Sequence, residues 1–377
     1  MKRFLLLVAL LSPLFTIAQK KDQGPKILNL VAGTFTGDSP TASKGIYVYR
    51  FYPYRAQHAY SNEVETKNPA FIAITKDEKF IYAVNENGEG NSAVTAFAFD
   101  KTSGKMEQIN SQPSSGSPCY ITVDKARKNV IIANYGGGSL QVFPVNKDGS
   151  LGASTQTIKS EGMGPNHGRQ EAPHIHSAVL SPDEKYLMVA DLGTDKINIY
   201  NYKASKIPAL TPAATPFVST KPGSGPRHSE FSKNGKFMYN VQELTATITT
   251  YAYNNGNLAE VETVKMMPDN FNGVNGAADI HISPDGLFLY ATNRGTANEI
   301  VAYAIDQQTG RLTFVDRYLT GPVPRNFVID PTGQYLLVGT TKVIHVYTRN
   351  ITTGKLKLNG DPIKIESAVC LKMFVLE

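Results

Sequence analysis

Hydrophobic and polar residues alternate along most of this chain in short runs, the period of two expected of half-buried strands. The runs come in groups. A strand, a Pro/Gly/Asp turn, a second strand, a short loop and a third strand make a module of about fifty residues, and the module returns six times. Residues 173–200 (PHIHSAVLSPDEKYLMVADLGTDKINIY), 225–251 (GPRHSEFSKNGKFMYNVQELTATITTY) and 277–303 (AADIHISPDGLFLYATNRGTANEIVAY) can be laid over one another. No long stretch carries the 3.6-residue period of an amphipathic helix.

The residue closing the second strand marks each copy: Asn85, Asn134, Asp191, Gln242, Asn293 and Thr340, at spacings of 49, 57, 51, 51 and 47. Repeats of this length built from short strands are propeller blades of four strands each. Residues 19–377 number 359, and 359/51 is close to seven. The seventh blade can be assembled from both ends of the chain, with NLVAGTFT and GIYVYRFY pairing AVCLKMFVL. That pairing closes the ring and removes exposed sheet edges. The expectation is an all-β, seven-bladed β-propeller of four-stranded antiparallel blades, one domain over residues 19–377.

The first residues change the picture of location. Met-Lys-Arg, the apolar run FLLLVALLSPLFTIA and then Gln-Lys-Lys read as a signal peptide over residues 1–18, cut after Ala18. The run is too short for a stable membrane span, and no Cys follows it to take a lipid anchor. Export to a periplasm or the outside is expected. Net charge is +6, or +4 once Lys2 and Arg3 are removed (6 − 2). Without a basic run, nucleic-acid binding has little support. The two cysteines, Cys119 and Cys370, lie in apolar strand patterns of different blades and read as buried thiols. A closed ring needs no partner, so a monomer is expected.

Candidate chemistry emerges from the columns of the repeat. The start of the first strand holds Ala70, Cys119, His176, Arg227, Ala278 and Arg325. The next column holds Phe71, Tyr120, Ser177, His228, Asp279 and Asn326. The column after the second strand holds Glu86, Tyr135, Leu192, Glu243, Arg294 and Thr341. A purely structural repeat would fill such places with small or apolar residues. Antiparallel neighbours put the start of the first strand beside the end of the second, so these columns share one face of the disc. His176, Arg227, Glu243, Arg294 and Arg325 should therefore converge on one mouth of the central channel, a cleft suited to an anionic ligand. His174, His228, Asn293, Asn326 and Glu86 are further candidates for substrate contact. The insertion before blade three (residues 162–173) brings Arg169 within reach. His174 and His176 would need a third ligand to hold a metal, with Glu171 the nearest, and no metal motif is present. No metal or cofactor is expected. Gly136, Gly137 and Gly138 could cradle a phosphate, but a tight turn explains them more simply.

The motifs PHIHS, VADLGTDKI, GPRHSEFSKNGKFMYNVQEL, AADIHISPDGLFLYATNRG and PRNFVIDPTGQYLLV together resemble the seven-bladed propeller lactonases, the bacterial 6-phosphogluconolactonase type. The resemblance spans nearly all of the chain beyond the leader. Fungal members of that family cyclise carboxymuconate, and their proposed site resembles His176 in HIHS, Arg227 in GPRH, Glu243 in QEL and Arg294 in NRG. The resemblance implies hydrolysis of a sugar-acid lactone, with Glu243 as general base, the arginines on a carboxylate, phosphate or oxyanion, and His176 as proton donor. It leaves open a muconate-type lactonising cyclase or isomerase. A non-catalytic exported propeller binding a glycan or a protein is the rival from outside enzymology.

Overall fold

The computed structural model describes residues 26–377 except Glu89. The expected leader, residues 1–18, lies outside the described residues. Twenty-nine strands form seven antiparallel sheets, and no helix occurs among the described residues. Blades one to five each take four consecutive strands. In blade six the outermost strand is split into Leu356–Leu358 and Ile363–Lys364, both paired to Val343–Arg349. Blade seven closes the ring as the sequence predicts: the C-terminal strand Ala368–Val375 pairs antiparallel with Leu28–Thr34, from Leu28 opposite Val375 to Thr34 opposite Ala368.

The innermost strands are Pro69–Ile74, Pro118–Val123, Ile175–Leu180, Pro226–Phe231, Ala277–Ile282, Asn326–Ile329 and Ala368–Val375. Each lies against the next around the axis, and the last returns to the first. Between blades the alternating apolar residues bury completely. Ile72, Tyr82, Val84 and Phe97 pack with Ile121 and Ile132, for example, and Tyr239, Val241 and Ile248 pack with Ile280 and Leu289. In blades one, four and five a tyrosine on the second strand fastens the blade to the outer turn of the following one. Tyr82 Oη donates to Gly149 O at 3.0 Å, Tyr239 Oη to Gly310 O at 3.0 Å and Tyr290 Oη to Gly354 O at 2.7 Å. Those turns need glycine: at Gly149 (φ 88°) an added Cβ would lie 2.1 Å from the Phe80 ring.

One local irregularity repeats. Register breaks between Pro69 and Phe71, Pro118 and Tyr120, Ile175 and Ser177, Pro226 and His228, and Ala277 and Ile280. The residue left over is a β-bulge at the channel mouth, occupied by Ala70, Cys119, His176, Arg227 and, with Asp279, Ala278. A bulge lets two consecutive residues face the same side and re-aims the extra one. Arg227 and His228 accordingly touch each other, Arg227 Nη1 lying 3.2 Å from His228 Nε2.

Candidate active site

Glu243, just after the strand Phe237–Gln242, sits at the centre of a ring of guanidinium groups. Arg169 Nη2 donates to its Oε1 at 2.6 Å, Arg227 Nε donates to its Oε2 at 3.0 Å, and Arg294 Nη2 lies 3.1 Å from Oε2. The four residues come from two blades and one insertion. Arg227 is the bulge residue of blade four. Arg294 follows the second strand of blade five, where its Nε donates to Gly276 O at 2.8 Å. Arg169 descends from the loop joining blades two and three. The insertion was expected to supply a group to this mouth, and its arginine does reach Glu243. That loop is held by its own bonds: Gln170 Nε2 donates to Leu192 O at 2.8 Å, and the Arg169 N–H donates to Asn166 O at 2.9 Å.

Electrostatics follow from this geometry. Burial pushes the Glu243 carboxyl up, but Arg294, Arg227 and Arg169 outweigh burial and hold it down at about 2. Burial and the neighbouring Arg294 lower the Arg227 guanidinium, with Glu243 opposing, and it remains a cation at neutral pH. His176 is buried beside Cys119, Nδ1 lying 3.7 Å from Sγ, with Tyr135 edge-on at 5.4 Å. Burial and the positive charge of Arg227 drive its pKa well below the ordinary value, so the imidazole is neutral.

On the far side of the mouth Arg325 Nη2 lies 3.6 Å from Glu86 Oε2, too long for a hydrogen bond. Arg325 also covers the ring of Phe35, its guanidinium carbon 5.1 Å from the centroid. The remaining candidates lie around and beneath this mouth. His174 is on the rim, stacked on Tyr135 at 4.4 Å between rings, with Nε2 3.0 Å from Glu171 Oε1. His228 lies one layer down the channel. Asn293 and Asn326 are hydrogen-bonded within the fold. Asn293 Oδ1 accepts from the Gly276 N–H at 2.9 Å, and Asn326 Oδ1 accepts from the Leu371 N–H at 2.6 Å while its amide donates to Asp279. Gly136–Gly138 form the turn between two strands of blade two. Cys119 and Cys370 are free and buried. Among the described residues no group of three or more His, Cys, Asp or Glu is placed to hold a metal.

Sequence reasoning missed a chain of ionisable groups below the mouth, buried at His228 and Asp279 and half-buried at His281 and Glu230. His228 Nδ1 lies 2.8 Å from Asp279 Oδ1, His281 Nε2 lies 3.0 Å from Asp279 Oδ2, and His281 Nδ1 lies 2.7 Å from Glu230 Oε2. Burial opposes charge on His281, but Asp279 and Glu230 raise it to about 10, so it is an imidazolium between two carboxylates. Burial and Arg227 hold His228 down at about 3, neutral. With Nδ1–H donated to Asp279, His228 Nε2 is left to accept from Arg227, which also donates to Ala278 O at 2.5 Å. This chain therefore props the Arg227 guanidinium from beneath. The signal was present in the sequence: Asp279 is the acid of a column shared with Phe71, Tyr120, Ser177, His228 and Asn326, and Glu230 and His281 lie two residues beyond His228 and Asp279.

The profile of the family described as "Lactonase, 7-bladed beta-propeller" matches residues 29–373. A 6-phosphogluconolactonase of Bacillus subtilis is 35% identical over 311 residues, covering 81% of this chain and 87% of that protein. A 6-phosphogluconolactonase of Formosa agariphila is 34% identical over 355 residues, covering 92% and 99%. The solved structure of the Pseudomonas aeruginosa periplasmic gluconolactonase superposes with a TM-score of 0.87 at 34% identity, covering 93% of this chain and all of that one (100%). The chain belongs to the seven-bladed β-propeller lactonase family.

Proposed function

We propose that this mouth hydrolyses the lactone of a sugar acid. The observation that carries the reading is the charge balance of the guanidinium cluster at the mouth. Arg169, Arg227, Arg294 and Arg325 pair with two carboxylates, Glu243 and Glu86, leaving a net +2 (4 − 2) among these six groups. A site with uncompensated, preorganised guanidinium groups suits an anionic substituent on the substrate and the oxyanion that forms at the ester carbon. Family membership and the names of the relatives point to the same chemistry. The periplasmic neighbour supports the exported location expected from the leader.

In this reading Arg169 and Arg294, the more exposed two of the three arginines on Glu243, bind the substrate's anionic arm. The deeper Arg227, propped by His228, faces the carbonyl oxygen and stabilises it as charge develops. Neutral His176 donates a hydrogen bond to the substrate. The sequence suggested Glu243 as general base. A carboxylate held at about 2 by three guanidinium groups is a weak base near neutral pH. Glu243 is better suited to anchoring the three arginines at fixed spacing, and water activation falls to another group.

The test is acid release at constant pH from glucono-δ-lactone and 6-phosphoglucono-δ-lactone, with spontaneous opening subtracted, beside a carboxymuconate followed by loss of its diene absorbance. Acceleration of a lactone by wild type, lost in Arg294→Ala, is expected. Folded wild type that accelerates no lactone overturns the reading, and turnover of the muconate alone replaces it with a cyclase.

A further inference from the structure

Glu86 is the one carboxylate at the mouth that the arginines do not satisfy. It follows the second strand of blade one, in the position that Glu243 occupies in blade four, on the opposite side of the channel. Its Oε2 is buried without a hydrogen-bond partner. The nearest cation, Arg325, stands 3.6 Å away, and the side chain is still 23% exposed. Glu243, by contrast, accepts at both oxygens. A buried carboxylate oxygen without a donor is costly, and native structures rarely keep one without a use.

Resting on the lactonase reading above, we propose that Glu86 is the proton-transfer residue of the reaction, taking the proton of the attacking water and returning it to the ring oxygen. The steps balance. Ionised Glu86 accepts a proton as the water oxygen bonds to the carbonyl carbon, whose oxygen becomes anionic against the guanidinium groups. Collapse of that intermediate re-forms the C=O, breaks the ring C–O bond and moves the proton from Glu86 to the departing alkoxide. The product is the open hydroxy acid, and Glu86 is again a carboxylate.

The two mouth carboxylates are pushed in opposite directions, the pattern by which environment divides acid–base labour between like groups. Burial raises Glu86 above its ordinary value, with Arg325 and Arg227 offsetting only part of that rise. Arg227 acts electrostatically on both carboxylates. The charged or titratable groups facing Glu86 are Arg325 from the loop before Asn326–Ile329, Arg227 from blade four and Cys119 from blade two.

The test uses the full mature chain with glucono-δ-lactone in a pH-stat between pH 4.5 and 7, comparing wild type, Glu86→Gln and Glu86→Ala. Gln has the same shape and leaves the fold undisturbed, which a melting curve checks. Expected are a kcat fall of about 100-fold or more in Glu86→Gln with little change in KM, and loss of an acid limb that wild type shows above pH 4.5. Added formate should restore part of the activity of Glu86→Ala, which a merely structural carboxylate would not permit. Full activity and an unchanged acid limb in folded Glu86→Gln overturn the proposal and leave the lactonase reading standing. Should Glu86→Gln not fold, failure of formate to rescue soluble Glu86→Ala overturns it instead. Wild type inactive on every lactone removes both.

Discussion

Replacing Glu243 by Gln keeps the shape of the mouth and removes the only charge that three guanidinium groups share. Glu243 is 6% exposed and Arg227 1%, so solvent screens their interaction little. The carboxyl falls from an ordinary 4.5 to about 2. At about 1.4 kcal/mol per pKa unit this shift is worth roughly 3 kcal/mol at neutral pH. Loss of one member of a buried pair costs about 3–5 kcal/mol on general grounds, since the other is left uncompensated. With an unfolding entropy of roughly 0.7 kcal/mol/K for a domain of about 350 residues, the melting temperature should drop by about 4–7 °C at pH 7. The sign of the pH dependence is fixed by the direction of the shift. A depressed carboxylate stabilises the fold above its unfolded value of 4.5, and that stability is lost as pH falls toward about 2. The difference between wild type and Glu243→Gln should therefore be constant from pH 8 to about 5 and shrink to roughly 1–2 kcal/mol by pH 3. Melting curves followed by circular dichroism at each pH measure it. A variant as stable as wild type at pH 7, or a deficit that persists unchanged at pH 3, would refute the assignment of Glu243 as the electrostatic anchor.

In Asp279→Asn the amide oxygen is held where Asn326, the Phe327 N–H and His281 donate, so its NH2 faces His228 Nδ1 and drives the imidazole proton to Nε2. An Nε2–H facing the Arg227 guanidinium then sets two donors against each other, and kcat should fall about 10-fold or more while the binding of a simple anion, held by Arg169 and Arg294, changes little. Steady-state kinetics beside phosphate titration separate the two effects. The thiols should be silent in the native protein. Burial raises both Cys119 and Cys370, the latter to about 11, so an aromatic disulfide reagent should register no fast thiol at pH 8 and two after denaturation.

The period of the repeat was enough to establish the number of blades, their antiparallel four-strand pattern and the closure of the ring by both chain ends. Each blade buries a strand pattern of period two that cannot slip register without turning its apolar face to water. Laying copies over one another also exposed His176, Arg227, Glu243, Arg294 and Glu86 as charged or polar members of columns that packing alone would fill with small residues. Three things were left to the tertiary structure. The sequence does not mark the bulge at the mouth, because a bulge is a relation between two strands, and only with it do Arg227 and His228 face the axis together. Nor does it show that Arg169, from an insertion with no counterpart in other blades, closes the guanidinium ring at 2.6 Å. The properties of the two glutamates were also beyond its reach. Both occupy the same column, yet one meets three arginines and the other a single distant one. A carboxyl's basicity is set by burial and by charges brought from other blades, and those distances exist only in the closed ring.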